Sequence, residues 1–217
     1  MDSDHISEFY YTGDNLLKIN DIDLCDNYLV ISCFCESALE DYSKETYVIV
    51  IETNTGKETL KKYLGYSLVP AHNFLEKNII YSNLERKIMA VNLKTGNILW
   101  ERHDECSYGF QDLCIYNDVL MNCSINATIG YDKNTGDVKY LFDDYGSYYV
   151  TQQGRYAYFL NRKENVDIIE IETGKKLGQI ICPNKSGFLG PYPTIYDNKL
   201  YIIGNNTLYR YPTYPWN

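Results

Sequence analysis

The chain has 217 residues, of which 45% are hydrophobic and 23% are charged, a size and composition compatible with one all-β domain that buries its own core. Its formal net charge of −9 argues against binding to nucleic acid or to anionic membrane surfaces, because an acidic protein repels phosphate. The 23 Tyr and 7 Phe favour β-strands, since aromatic side chains pack well on a pleated surface.

The first element along the chain is a predicted hairpin turn, and its dipeptide recurs at intervals of about 40 residues. The copies are Thr12-Gly13, Thr55-Gly56, Thr95-Gly96, Thr135-Gly136 and Thr173-Gly174. Glycine readily adopts the positive φ that a tight hairpin with a bulge requires. We therefore predict that each Thr-Gly joins two neighbouring antiparallel strands.

A second turn signal lies between these copies, where a polar pair divides two apolar runs. The pairs are Asp26-Asn27, Glu76-Lys77, Asn117-Asp118, Gln153-Gly154 and Asp197-Asn198. Two polar residues between apolar runs are typical of a β-hairpin. Each repeat is thus predicted to hold four strands in the order A, tight turn, B, loop, C, Thr-Gly turn, D.

The two ends of the chain are complementary in this scheme. The first Thr-Gly precedes every A strand, and the last A–B turn has no Thr-Gly after it. We predict an all-β, five-bladed β-propeller in which the N-terminal strand closes the last blade, because closure removes unpaired strand edges. The alternatives are an open β-solenoid and a six-bladed ring completed by a partner. The single domain 1–217 would comprise blades at about 20–63, 64–104, 105–144, 145–183, and 184–217 plus 9–19.

One repeat carries a family resemblance. Residues 90–100 read Ala-Val-Asn-Leu-Lys-Thr-Gly-Asn-Ile-Leu-Trp, which resembles the PQQ-like (quinoprotein-like) β-propeller repeat, Ala-Leu-Asp-x-x-Thr-Gly-x-x-Leu-Trp. The resemblance implies a propeller in which the residue at the Trp position docks adjacent blades. In the other repeats that position holds Leu17, Leu60, Tyr140 and Gly178. The chain has no adjacent Cys-Cys pair of the kind found at the family's redox sites, so the resemblance is taken without a cofactor site.

Catalytic chemistry has little support in the sequence. Asp21, Asp23 and Asp112 fall near the predicted starts of A strands, and a glycoside hydrolase needs two carboxylates facing each other across its substrate. Acids at strand starts are usually solvated turn residues. We therefore predict no enzyme and no catalytic residue, and keep a glycoside hydrolase as the least favoured alternative.

The cysteines also predict no site. Cys33 and Cys35 would share one face of a strand, with Cys25 on the paired strand. Three thiols could begin a zinc site, but no Cys-x-x-Cys pair or nearby histidine completes it. We predict that the cysteines are reduced core residues and that no metal is bound.

The best candidate site is one mouth of the propeller, where the D–A connections and the B–C loops meet. The D–A connections combine glycine with aromatic residues, which are Tyr66, Phe110, Tyr148, Tyr149 and Tyr192. The B–C loops are charged, through Glu36, Glu40, Asp41, Glu85, Arg86, Arg162 and Glu164. Aromatic anchors inside a polar rim are typical of protein–protein interfaces.

The predicted function is therefore non-enzymatic binding of another protein. An acidic rim favours a basic partner, and an inhibitor such as an immunity protein against a bacterial toxin would fit. The alternative is a carbohydrate- or small-ligand-binding propeller, in which equivalent aromatics stack on sugar faces. The N-terminal residues lack the apolar core of a secretory signal, which predicts a cytoplasmic protein.

Overall fold

The molecule is built from strands and turns. The computed structural model describes residues 18–36, 44–67, 72–84, 86–103, 111–124, 126–142, 150–161, 163, 165–182, 193–204 and 207–215. None of these residues is helical, so the described part contains no helix able to cross a membrane.

The described strands form five antiparallel sheets, numbered here in chain order, and within each sheet the strands follow one another along the chain. Sheet 1 contains β1 (Lys18–Cys25), β2 (Tyr28–Glu36), β3 (Lys44–Glu52) and β4 (Lys57–Ser67). Sheet 2 contains β5 (His72–Glu76), β6 (Ile79–Leu84), β7 (Lys87–Asn92) and β8 (Ile98–His103). Sheet 3 contains β9 (Gln111–Tyr116), β10 (Val119–Ser124), β11 (Thr128–Asp132) and β12 (Val138–Phe142). Sheet 4 contains β13 (Val150–Gln153), β14 (Tyr156–Leu160), β15 (Val166–Glu170) and β16 (Lys176–Ile180). Sheet 5 has three described strands, β17 (Thr194–Tyr196), β18 (Lys199–Gly204) and β19 (Thr207–Pro212).

The described Thr-Gly turns have the conformation that the sequence predicts. Gly56, Gly96, Gly136 and Gly174 have φ values of 66°, 71°, 74° and 70°. Each glycine N–H donates to the carbonyl four residues earlier, and each threonine Oγ1 accepts from the amide two residues later. A bulge lies between each turn and the residue at the Trp position. The prediction that these copies join strands C and D is confirmed, whereas Thr12-Gly13 lies outside the described residues.

Two of the predicted A–B turns are wrong by one residue. The turns are Lys77-Asn78 and Gly154-Arg155, because the positive φ falls on Lys77 (55°) and Gly154 (56°). Glu76 is therefore the last residue of β5. Its two carboxylate oxygens accept hydrogen bonds of 2.8 and 2.9 Å from Lys133 Nζ in sheet 3.

Successive sheets pack face to face through separate apolar clusters. Val50 of sheet 1 and Met89 of sheet 2 belong to one cluster, and Trp100 of sheet 2 and Leu120 of sheet 3 belong to the next. Further clusters join sheet 3 to sheet 4 and sheet 4 to sheet 5. The first strands also meet in series, β1 with β5, β5 with β9, β9 with β13, and β13 with β17. The sheets are thus arranged side by side about their first strands.

The residue at the Trp position docks each of sheets 1, 2 and 3 onto the Thr-Gly turn of the next sheet. A Cβ built on Gly136 would lie 2.6 Å from the Trp100 ring, and one built on Gly174 would lie 2.7 Å from the Tyr140 ring. Trp100 Nε1 donates to the Lys133 carbonyl at 2.8 Å, and the Tyr140 hydroxyl donates to the Ile171 carbonyl at 2.6 Å. The glycines therefore serve two purposes, positive φ and close approach of the neighbouring sheet.

The sheet boundaries differ in places from the predicted repeats. β1 begins at Lys18, and Lys18 and Ile19 pair with β2, so these two residues belong to sheet 1 and not to the strand predicted at 9–19. β4 continues to Ser67, past the predicted boundary at residue 63. Leu16 and Leu17 lie outside the described residues, so the predicted closure of the last blade stays a prediction.

Candidate functional site

Most residues of the predicted mouth lie outside the described part of the chain. This holds for Glu40, Asp41, Glu85, Phe110, Tyr148, Tyr149, Arg162, Glu164 and Tyr192. Glu36 is the last residue of β2, and its side chain is not described. Tyr66 and Arg86 are described, and they show what one sector of the site looks like.

Tyr66 is part of a cluster of three tyrosines around one carboxylate, called the tyrosine patch here and comprising Glu45, Tyr47, Tyr63 and Tyr66. The Tyr47 and Tyr63 ring centroids are 5.4 Å apart, and those of Tyr63 and Tyr66 are 5.8 Å apart in an edge-on contact. Glu45 Oε2 accepts from the Tyr47 hydroxyl at 2.7 Å, and Oε1 accepts from the Tyr66 hydroxyl at 3.3 Å. The tyrosines thus hold the carboxylate in one orientation.

The sheet register explains why these side chains meet. Glu45 lies directly opposite Tyr66, and Tyr47 lies opposite Tyr63. The register shifts between these two pairs, because Leu64 is an extra residue on β4 and Gly65 has a φ of 144°. A bulge of this kind re-aims side chains at the end of a sheet. Without it, Tyr63 and Tyr66 would point to opposite faces, since they are three residues apart.

The tyrosine patch lies where two predicted loops of the mouth leave sheet 1. β3 begins one residue before Glu45, just after the segment 37–43, and β4 ends one residue after Tyr66, just before the segment 68–71. The side chain of Tyr66 is 53% exposed and that of Tyr63 is 43% exposed. Two aromatic rings beside the predicted mouth are therefore exposed to solvent.

The electrostatics of the patch favour an ionised carboxylate. The hydrogen bond from Tyr47 is the main cause that lowers the pKa of Glu45, with further contributions from Cys35 and Tyr66. Desolvation, together with the neighbouring Tyr66, raises the pKa of Tyr63 to about 12. The patch therefore places three phenol rings around a carboxylate whose charged form is favoured. Such an arrangement attracts cations, both to the carboxylate and to the ring faces.

A lysine of the chain itself shows how a cation approaches this surface. Lys61 Nζ lies 5.7 Å from the centroid of the Tyr47 ring, within the usual distance of a cation–π contact. Tyr47 therefore already receives a cation on its face. The rings of Tyr63 and Tyr66 are the more exposed members of the patch and could receive a cation from outside.

We expect the pKa of the Glu45 carboxyl, followed by NMR pH titration, to lie below that of an ordinary glutamate. Because the folded-state pKa is the lower one, the stabilisation is present above the unfolded-state pKa and is lost as pH falls through the folded-state pKa. Tyr47→Phe removes the main hydrogen-bond donor and should raise the pKa of Glu45. Tyr196→Phe, in sheet 5, is the control and should leave it unchanged. An unchanged pKa of Glu45 in the Tyr47→Phe variant would contradict this assignment.

Arg86, the other described residue of the predicted rim, is exposed in the turn between β6 and β7. The next residue, Lys87, reaches back to sheet 1, where Nζ donates to the Leu64 carbonyl at 3.1 Å. Lys87 Nζ also lies 3.9 Å from a Glu101 carboxylate oxygen. This turn is therefore tied to the strand that carries Tyr63 and Tyr66, which places Arg86 on the same side of the molecule.

The three aspartates considered for glycoside hydrolysis do not share one position in their strands. Asp112 is the second residue of β9, whereas Asp21 and Asp23 lie further along β1. Asp112 Oδ1 accepts from its neighbour Leu113, and Oδ2 accepts from the Val150 amide of sheet 4 at 3.2 Å. The prediction that Asp23 lies near a strand start is wrong, because β1 begins at Lys18. The described contacts of Asp112 are those of a residue that joins two sheets.

Cys25 lies on the strand paired with that of Cys33 and Cys35, as predicted, but far from both along the pair. Cys25 lies opposite Tyr28 at the hairpin end of sheet 1, whereas Cys33 lies opposite Ile19 at the other end. Cys33 and Cys35 are buried free thiols. Burial raises the pKa of Cys33 to about 11, so this thiol is protonated at neutral pH. No cluster of three potential metal ligands occurs among the side chains that the structure describes.

Comparisons with known proteins identify the fold. No protein-family model matches the sequence, and no curated protein matches it. Among solved structures, BamB from Moraxella catarrhalis superposes with a TM-score of 0.58 at 11% identity, over 87% of this chain and 70% of BamB. The computationally designed Ika8 protein gives a TM-score of 0.63 at 12% identity, over 90% of this chain and 71% of Ika8. The designed Ika4 protein gives 0.56 at 12% identity, over 71% of this chain and 91% of Ika4.

These similarities concern the fold alone, since all the identities are low. BamB is a PQQ-like β-propeller repeat protein, so the structural match agrees with the repeat resemblance in the sequence. The chain is accordingly an all-β protein of several antiparallel sheets with a β-propeller-like fold.

Proposed function

We propose that this chain is a non-enzymatic β-propeller that binds a basic protein at the mouth marked by the tyrosine patch. The observation that carries the proposal is the pair of exposed rings, Tyr63 and Tyr66, beside the ionised Glu45. Aromatic side chains lose little conformational entropy on binding and are frequent hot spots at interfaces. An Arg or Lys side chain of the partner would stack on a ring and approach the carboxylate.

The overall charge supports the same kind of partner. A net charge of −9 attracts a basic protein over distances comparable with the Debye length and accelerates association. An inhibitor that neutralises a basic toxin is one role in which these properties combine. On this proposal the partner is recognised by its positive charge and the protein itself performs no chemistry.

The proposed ring is closed by residues 9–17, which pair with β19 as the fourth strand of sheet 5. Exposed apolar side chains on the two end sheets support closure. Ile203 and Leu208 lie opposite each other in sheet 5, and both are exposed. Ile22 and Leu24 of sheet 1 are exposed as well. Packing these two faces together would remove their apolar surface from water.

Closure can be tested by cross-linking. Cysteines introduced by Leu17→Cys and Tyr209→Cys should form a disulfide in a background that lacks the native cysteines. Ile19→Cys with Tyr209→Cys is the control pair, since Ile19 is paired within sheet 1. Equal or preferential cross-linking of the control pair would rule out closure by this strand.

The binding proposal is tested by affinity capture from cells of the source organism, followed by titration of the purified partner. We expect a partner with a high isoelectric point whose affinity falls as salt is raised from 50 to 500 mM. The double variant Tyr63→Ala/Tyr66→Ala should weaken that affinity at least about tenfold, since it removes two central aromatic contacts.

Tyr196→Ala is the matched control, because Tyr196 is a 73% exposed tyrosine on sheet 5. This variant should bind the partner normally. An acidic partner, an affinity independent of salt, or equal weakening by both variants would refute the proposal. Glycan-array binding that is lost in the double variant would favour the carbohydrate-binding alternative.

A further inference from the structure

A cavity of about 220 Å³ lies between sheets 1 and 2, away from the tyrosine patch. Its lining is more apolar than polar and is partly open to solvent, since Thr59 and Lys94 are exposed. The lining residues are Tyr28, Val50, Thr59, Asn78, Leu93 and Lys94. Tyr28 follows the A–B turn of sheet 1, and Asn78 is the second residue of the A–B turn of sheet 2. Leu93 and Lys94 belong to the Thr-Gly turn of sheet 2. The cavity therefore lies at the turn end of the two sheets.

The repeat explains why a cavity occurs at this interface. Its walls include Val50, the cross-strand partner of Leu60, and Thr59, the neighbour of Leu60 in the chain. Leu60 occupies the Trp position of sheet 1. It packs onto the next turn, since a Cβ built on Gly96 would lie 2.8 Å from Leu60 Cδ1. Leucine is much smaller than the indole that the repeat pattern places here.

The next two interfaces show how this space is filled elsewhere. Between sheets 2 and 3, Trp100 covers Gly136 and donates from Nε1 to the Lys133 carbonyl. Between sheets 3 and 4, Tyr140 covers Gly174 and donates from its hydroxyl to the Ile171 carbonyl. Each interface thus receives one aromatic ring and one hydrogen bond to the turn. Leu60 provides neither the ring nor the donor.

The turn of sheet 2 offers the same acceptor. Leu93 lies three residues before Gly96, as Lys133 lies three residues before Gly136. The Leu93 amide donates to the Asn78 carbonyl, as the Lys133 amide donates to the Asp118 carbonyl. The two turns therefore make the same backbone hydrogen bond to the A–B turn of their own sheet. The Leu93 carbonyl in the turn of sheet 2 is thus equivalent to the Lys133 carbonyl in the turn of sheet 3, which accepts the indole N–H of Trp100.

We propose that the cavity between sheets 1 and 2 is a binding site for a small planar aromatic molecule with a ring N–H donor, of the size of indole. The ring would lie beside Leu60, whose side chain already covers Gly96, and between the walls at Tyr28 and Val50. Its N–H would donate to the Leu93 carbonyl. Apolar cavities of roughly 150 Å³ already bind benzene, so this cavity is large enough for a bicyclic ring.

The site is tested by titrating the full chain with indole and following backbone amide signals by NMR. We expect saturable binding with a Kd of about 1 mM or tighter, as is usual for a ligand of this size. The largest shifts should occur at Thr59 and Leu93. Benzothiophene, which has the shape of indole without the N–H, should bind at least about threefold more weakly.

The matched variant is Leu60→Trp, which supplies the missing ring from the chain itself. It should reduce indole affinity at least about tenfold, while Leu99→Trp, on the exposed side of β8, should not. Absence of saturable binding to the unmodified chain, or shifts centred on Lys133 or Ile171 in place of Leu93, would overturn the site. Equal affinity for benzothiophene would overturn the hydrogen bond. If Leu60→Trp does not fold, the shifts and the benzothiophene comparison on the unmodified chain still decide the question.

Discussion

Replacing Gly136 with alanine is expected to destabilise the protein by about 2–5 kcal/mol. Two costs combine, because the residue has a φ of 74° and because a Cβ there would lie 2.6 Å from the Trp100 ring. The left-handed conformation costs an alanine about 1–2 kcal/mol, and overpacking adds about 1–3 kcal/mol. The ring cannot easily withdraw, since its Nε1 is bound to the Lys133 carbonyl. Urea unfolding followed by circular dichroism measures the effect.

Gly154→Ala separates the two costs. Gly154 also has a positive φ, 56°, but a Cβ there would meet no atom within 4 Å. This variant should therefore lose only about 1–2 kcal/mol, the conformational part. If Gly136→Ala and Gly154→Ala prove equally destabilising, the contact between Trp100 and the turn of sheet 3 does not constrain the folded state.

Replacing Trp100 with alanine should destabilise the protein by about 3–5 kcal/mol, the usual cost of removing a large buried aromatic side chain. Trp100 is only 8% exposed, and it packs with Tyr131 of sheet 3 at a centroid distance of 6.5 Å. The substitution opens a cavity at the interface of two sheets and leaves the Lys133 carbonyl without its donor. Thermal and urea unfolding of the two proteins measure the loss.

Two companion variants identify the source of this loss. Trp100→Phe keeps an aromatic ring but removes the N–H, and should cost clearly less than the alanine variant. Leu99→Ala changes the preceding side chain, which is 49% exposed, and should stay within about 1 kcal/mol of the unmodified protein. A Trp100→Ala loss no larger than that of Leu99→Ala would show that the Trp position does not hold the sheets together.

Comparing the sheet interfaces explains how the two candidate sites arise. At the interface of sheets 2 and 3, the repeat is complete and the space is filled by Trp100. At the interface of sheets 1 and 2, Leu60 replaces the ring and a cavity remains. At the other end of sheet 1, the bulge at Leu64 brings Tyr63 to the side of Tyr66. Both sites thus arise where sheet 1 departs from the regular repeat.

Local chemistry let the sequence determine the repeat. A hairpin that needs a positive φ restricts the residue at that point almost to glycine. The Thr-Gly copies at 56, 96, 136 and 174 could therefore be recognised from the sequence alone, and their spacing predicted the all-β fold of repeated sheets. The position of a turn was less certain where either of two neighbouring polar residues could take the positive φ. At Glu76-Lys77 the sequence does not say which residue takes the positive φ, and the structure places it on Lys77.

Tertiary structure alone decided where side chains from distant positions meet. The pairing of Glu45 with Tyr66 depends on an extra residue at Leu64, and a shift of one residue turns every following side chain to the other face of a sheet. The cavity beside Leu60 depends on how closely two sheets approach, which is a matter of packed volumes that no local pattern encodes. Composition and spacing fix which strands form, whereas register and packing fix which surfaces those strands create.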